Sequence, residues 1–255
     1  MMSIKDRIHE TKDVLGGYLC VIPSAVVTQA LAAAGADWLV IDQEHGPTGM
    51  ENLHAMIAAT AGTACSPWVR VAKRDEACVK PALDAGAEGI MFPLVRTAAE
   101  AAECVALTRY PPHGRRGWGP FIAHSRWQVP VMEYPPRMAD RIVCCLLLET
   151  VEAVQNIDAI CAVEGIDCAI IAQFDLSTTL GISGQFDHPD FKSAVATLEK
   201  SVLAAGIPLG GGPARTRAEA QALFARGYRL IAGFDVLRLK ASVAETVAWA
   251  RDGAH

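Results

Sequence analysis

Residues 31–47 read LAAAGADWLVIDQEHGP, and residues 81–95 read PALDAGAEGIMFPLV. Both stretches have the same parts in the same order. A helical segment stops at a glycine, Gly35 or Gly86, where the chain turns out of the helix. A short run that is apolar throughout follows, Trp38 to Ile41 in one and Gly89 to Phe92 in the other. A strand with one wet face would alternate. A run without alternation is buried on both faces, as a parallel sheet covered by helices requires.

Working outward, the same punctuation recurs at Gly165, Gly206 and Gly227. Further runs occupy Gly17 to Ile22, Pro67 to Val71, Ile142 to Leu148, Cys168 to Ile171, Ile207 to Gly210 and Leu230 to Ala232. Helical spacing fills Ser24 to Ala34, Gly49 to Ala61, Arg74 to Ala85, Thr97 to Arg109, Val151 to Val163, His188 to Ala205 and Thr216 to Ala225, and Val236 to Asp252 closes the chain. Eight strands alternating with helices in 255 residues predict an α/β fold, a single (β/α)8 TIM barrel over residues 1–255. An open doubly wound sheet shares the local pattern and is the alternative. Tyr110 to Arg141, headed YPPHGRRGWGP, breaks the rhythm and is read as a long functional loop over the barrel mouth.

A net charge of -5 argues against a nucleic-acid partner, which would need a basic face. No apolar run is long enough to cross a membrane, and Met1 to Lys12 lacks the apolar core of a signal peptide, so a cytoplasmic enzyme without a membrane partner is expected. The eight cysteines form no CxxC pair and lie mostly in apolar stretches, as small buried hydrophobes kept reduced do.

In such barrels the reacting groups stand at the C-terminal ends of strands. Those ends carry Asp42-Gln43-Glu44-His45, Arg70, Glu149, Asp175 and Gly210-Gly211-Gly212. Glu149 and Asp175 are candidate ligands for Mg²⁺, Mn²⁺ or Co²⁺, since two carboxylates with water oxygens suit a hard octahedral ion. Both also suit helix starts, the competing reading. His45 is the candidate for proton transfer, with Asp42 three residues earlier to orient its imidazole and Glu44 competing for either role. A guanidinium closing an apolar strand needs an anion, so Arg70 is assigned to a substrate carboxylate, or alternatively to a rim acid such as Glu44. Gly211 and Gly212 would let a substrate approach the backbone. There is no Walker loop and no GxSxG elbow. Only Lys73 lies near a strand end, already past Arg70, so a metal route is preferred to a Schiff base.

Taken together, ADWLVIDQEHGP, WVRV, DAGAEGIMFPLV, RYPPHGRRGWGP, LLLET and FDLSTTLG, in that order along nearly the whole chain, resemble the HpcH/HpaI family of metal-dependent 2-oxo acid aldolases. The resemblance implies a (β/α)8 barrel in trimers or hexamers, with the last helix packed on a neighbouring subunit. It implies Glu149 and Asp175 as metal ligands, His45 with Asp42 as a dyad, and Arg70 on the oxo acid. It also implies a role for Asp84 through a subunit contact. Backbone amides of Ala172, Gln173 and Phe174 are expected at the substrate carboxylate, although the family often has Gly-Pro there. Trp127 stands where a small residue is commoner and is expected to narrow the aldehyde site.

These implications make a homo-oligomeric class II aldolase joining pyruvate, or a related 2-oxo acid, to an aldehyde. One alternative is an acyl-CoA lyase of the citrate lyase β-subunit type, which would need phosphate contacts beyond Arg115 and Arg116. The other is a non-catalytic barrel, against which the full set of rim residues argues.

Overall fold

The computed structural model describes residues 2–252, so the ends of the expected 1–255 domain lie outside the described residues. Eight strands are hydrogen-bonded in sequence order and closed on themselves: β1 (Leu15–Cys20), β2 (Trp38–Asp42), β3 (Ser66–Arg70), β4 (Gly89–Phe92), β5 (Val143–Leu148), β6 (Cys168–Ala172), β7 (Leu209–Gly212) and β8 (Tyr228–Phe234). Every pair is parallel, and β8 returns to β1 with Leu15 opposite Leu230. The barrel is therefore closed, and the open-sheet alternative falls.

Side-chain parity positions the site. Trp38, Val40, Trp68, Met91, Val143, Cys145 and Leu147 pack together inside the barrel, whereas Leu39, Ile41, Val69 and Ile90 pack in the outer layer beneath the helices. Because successive strand residues alternate faces, the inward set continues upward to Asp42, Arg70 and Glu149. Lower down, the indoles of Trp38 and Trp68 stack with centroids 5.0 Å apart. Gly17 and Gly89 make room for them: a Cβ at Gly17 would lie 2.2 Å from the Trp38 ring and one at Gly89 2.7 Å from Trp68.

Side-chain caps open three of the helices. Ser24, Thr97 and Thr216 each accept the backbone N–H three residues on, and Glu100 completes a capping box with Thr97. Strand limits differ where a backbone group has another partner. β1 ends at Cys20, because the N–H groups of Val21 and Ile22 donate to the Asp235 carboxylate at 3.1 Å each. The expected helix over Val151 to Val163 breaks at Asn156 into Val151–Gln155 and Ile157–Cys161.

Two features correct the sequence reading. The polar N-terminus holds a helix, Ile4–Glu10, whose Ile4 and Ile8 join the barrel-interior cluster and close its N-terminal end. The 110–141 segment also lies at that end, not over the mouth. It runs from the C-terminus of the Ala98–Thr108 helix to the start of β5, and both points are at the barrel floor. Its contacts agree: Trp127 Nε1 donates to Gly86 O at 3.1 Å, Arg126 Nη2 to Thr60 Oγ1 at 2.6 Å and Arg141 Nη2 to Glu88 Oε1 at 3.0 Å, all on residues that precede strands. Trp127 therefore has no part in shaping an aldehyde site of its own chain.

All eight cysteines are free, six of them buried. No helix among the described residues is long and apolar enough to cross a membrane.

Candidate active site

Asp42 closes β2 on the inward face with no exposed surface. Its Oδ1 accepts from Arg70 Nε at 2.9 Å and from the backbone N–H groups of Glu44 and His45 at 3.0 and 3.3 Å, while Oδ2 accepts from Arg70 Nη2 at 2.7 Å. Burial alone would raise its proton affinity. The Arg70 fork and the two amides outweigh burial and hold the carboxyl below the usual range. The turn is tight as well, since a Cβ on Gly46 would meet the Asp42 carbonyl oxygen at 2.4 Å.

Arg70, buried at the end of β3, turns its remaining nitrogen Nη1 to Glu44 Oε2 at 3.3 Å. Burial works against its charge, but Asp42, Glu44 and Glu149 more than compensate. Glu149, buried at the end of β5, accepts from Leu94 N–H at 2.6 Å. Leu94 takes a left-handed backbone, φ 55°, to deliver that N–H. Burial pushes the Glu149 carboxyl up to about 7; the nearby charges of Asp175 and Glu44 add to this, against the pull of Leu94 N–H and Arg70. Asp175 is half-buried in the first turn of the Gln173–Thr179 helix. A small cavity of about 50 Å³ at this end of the barrel is bordered by Arg70, Ala172, Gln173, Phe174, Asp175 and Gly212.

Among the described residues no group of three or more His, Cys, Asp or Glu is gathered tightly enough to hold a metal by itself, although Glu149 feels the charges of both Asp175 and Glu44.

The sequence profile of the HpcH/HpaI aldolase/citrate lyase family matches residues 21–240. The chain belongs to this family. Among relatives of this HpcH/HpaI member, a hydroxypyruvate/pyruvate aldolase of Chromohalobacter salexigens is 36% identical over 86% of this chain and 87% of the relative. A 2-keto-3-deoxy-L-rhamnonate aldolase of Escherichia coli K12 is 32% identical over 81% and 77% respectively. The solved structure of a family protein from Burkholderia cenocepacia superposes with a TM-score of 0.91 at 32% identity, over 98% of this chain and 100% of the other.

Within this HpcH/HpaI barrel the structure brings together Asp42, Arg70, Glu149, Asp175, Ala172, Gln173, Phe174 and Gly212. Two expected placements change, those of Asp42 and Gly211, while Asp84 is left to the subunit contact that was expected of it. Asp42 does not hold the His45 ring: both its oxygens are taken by Arg70 and by backbone amides. The acid facing His45 is Glu44, whose Oε2 is 3.8 Å from His45 Nε2. Gly211 points away from the mouth, because its parity is outward; a Cβ there would strike the Tyr228 ring at 2.5 Å under the helix layer. Asp84 ends the Glu76–Asp84 helix at the floor of the barrel, where Arg116 Nη2 lies 3.4 Å from it, so it cannot reach the site of its own chain. Burial raises the Asp84 carboxyl, with Arg116 opposing. Leu94 was missed because a backbone N–H carries no side-chain signal.

Proposed function

We propose that this chain is a class II aldolase that cleaves and forms the carbon–carbon bond between pyruvate, or a related 2-oxo acid, and an aldehyde. The observation that carries the reading is the meeting of Arg70 from β3, Glu149 from β5 and Asp175 beyond β6 at one end of the barrel. Both relatives described above are aldolases by name, which supports the same reaction class. Arg116 is buried beneath Tyr110 at the floor, so it offers nothing to the phosphates of an acyl-CoA.

Glu149 and Asp175 would hold Mg²⁺, Mn²⁺ or Co²⁺. The fit lies in the donors: hard oxygens only, with a Glu149 carboxyl that burial, aided by the charges of Asp175 and Glu44, pushes up to about 7 and that a cation would relieve. When bound, the cation supplies positive charge where the oxo oxygen becomes negative. The chain's own residues do the rest. Arg70, aimed by Asp42, binds the anionic oxo acid and stabilises its enolate. Ala172, Gln173, Phe174 and Gly212 border the space where the acid would lie. His45 removes the proton of the 4-hydroxyl in cleavage and returns one in synthesis. Lys73, exposed beyond β3, is poorly placed to form a Schiff base.

We infer a homo-oligomer, a trimer or hexamer. In the Asp235–Asp252 helix, Val236, Leu237, Leu239, Val243, Val247 and Trp249 are all exposed. Beside it opens a largely apolar concavity of about 600 Å³ bordered by Gly17, Tyr18, Val27, Leu31 and Ile231, a larger space than the cavity at the barrel mouth. The same segment of a second copy is the occupant that matches. In such an assembly Asp84 could serve a neighbour's site. The free thiols suit a reducing cytoplasm.

The test is incubation with pyruvate and a panel of aldehydes, with EDTA and after return of Mg²⁺ or Mn²⁺. Aldol product is expected only with metal. Borohydride trapping of pyruvate on a lysine would overturn the mechanism.

A further inference from the structure

Outside the barrel wall, between β6, β7 and the helices Pro189–Ala204 and Arg217–Ala225, lies a second cavity of about 470 Å³, a size that suits a small organic molecule. Its origin is in the sequence. Gly211 faces outward without a side chain, and the Tyr228 ring passes in front of it. The Arg217–Ala225 helix buries none of its residues, whereas Pro189–Ala204 seats Phe191, Val195 and Leu198, so one helix stands off the strands beside a helix that does not. The lining is rich in aromatic rings: Phe186 packs on Phe191 with centroids 5.4 Å apart, and Tyr228 borders the same space. Gln173 and Gly212 border both this cavity and the small one at the barrel mouth.

Two cations border the space, Lys192 and Arg226, and its lining holds no carboxylate. Arg226 lies over the Tyr228 ring, 5.5 Å from its centroid, and is paired with Glu199. Lys192 meets Asp187 at 2.9 Å, but both side chains keep most of their surface in water, where such a pair is worth little and exchanges readily. One positive charge therefore remains for an incoming group, which suits a monoanion better than a phosphate dianion. We propose that this cavity is a binding site for an aromatic carboxylate, with its ring among Phe186, Phe191 and Tyr228 and its carboxylate at Lys192. The site stands apart from the aldolase reading, since it uses none of His45, Arg70, Glu149 or Asp175.

The probe is 4-fluorophenylacetate, which lacks the oxo group of a substrate, followed by ¹⁹F NMR on the full chain. A Kd of about 0.1–1 mM is expected, retained within about 5-fold when pyruvate and Mg²⁺ are added. The uncharged 4-fluorophenylacetamide, and 4-fluorophenylacetate on Lys192→Glu, should each bind at least about 5-fold more weakly. Leu223→Trp should fill the cavity and abolish binding. Lys192 is exposed, so its variant keeps the fold and decides the matter even where Leu223→Trp does not fold. No binding at about 10 mM probe, undiminished binding to Lys192→Glu, or full displacement of the probe by pyruvate overturns the proposal.

Discussion

Arg70 grips Asp42 with two parallel bonds, Nε to Oδ1 at 2.9 Å and Nη2 to Oδ2 at 2.7 Å, where both side chains are buried. Removing one member of such a pair strands the other charge. Asp42→Ala should therefore destabilise the fold by about 3–5 kcal/mol, read as a shift in the urea midpoint. Arg70→Lys keeps the charge but loses the fork, so it should raise the KM for the oxo acid. A full-strength Asp42→Ala fold would mean that water replaces the pair at little cost.

Glu149 holds its proton to about 7 when no metal is bound. A divalent cation requires the carboxylate, so binding must displace that proton. Apparent Mn²⁺ affinity should fall as pH is lowered from about 8 to about 6. Titration calorimetry in two buffers of different ionisation enthalpy should detect the released proton, and Glu149→Gln should abolish the release. Affinity that ignores pH over this range would place the metal elsewhere.

At the floor of the barrel Asp167 meets Lys5 and His9 at 3.0 Å each, Arg109 at 2.9 Å and the N–H of Cys144 at 2.7 Å. Burial would raise its carboxyl, but these partners together hold it below the ordinary value of 3.8. A depressed carboxyl contributes stability above its unfolded value and loses it as pH falls through the folded one. Asp167→Asn should therefore reduce Tm at neutral pH and shrink the loss of stability that the wild type shows below about pH 4. Parallel wild-type and variant melts down to about pH 3 would refute this.

The apolar face of the C-terminal helix predicts an assembly. Leu239→Asp with Val243→Asp should reduce the mass seen by light scattering at micromolar concentration while β1 to β8 keep their far-ultraviolet signature. A wild-type chain that is already monomeric would remove the argument.

The barrel was legible because Gly35 and Gly86 mark the turns, and because runs such as Val143–Leu148 lack alternation, which only two-sided burial explains. The rim residues followed from strand ends alone. The face of the 110–141 segment was misjudged because its Pro, Gly and aromatic content suggested function, whereas its connection from a helix C-terminus to a strand start dictates the floor. The Asp42–His45 spacing misled for another reason: a carboxylate beside a tight turn is claimed first by backbone N–H groups and by Arg70. Gly211 and Gly212 are adjacent in sequence, yet strand parity gives them opposite faces.

The Trp38–Trp68 stack, backed by the N-terminal helix, has a kinetic consequence. With its floor sealed, the barrel has one doorway, which both reactants must share. The molecule seated deeper must arrive first and leave last. Because Arg70, which reaches inward, is the natural anchor of the oxo acid, turnover should follow a compulsory order: the acid enters before the aldehyde in synthesis, and the aldehyde departs before the acid in cleavage.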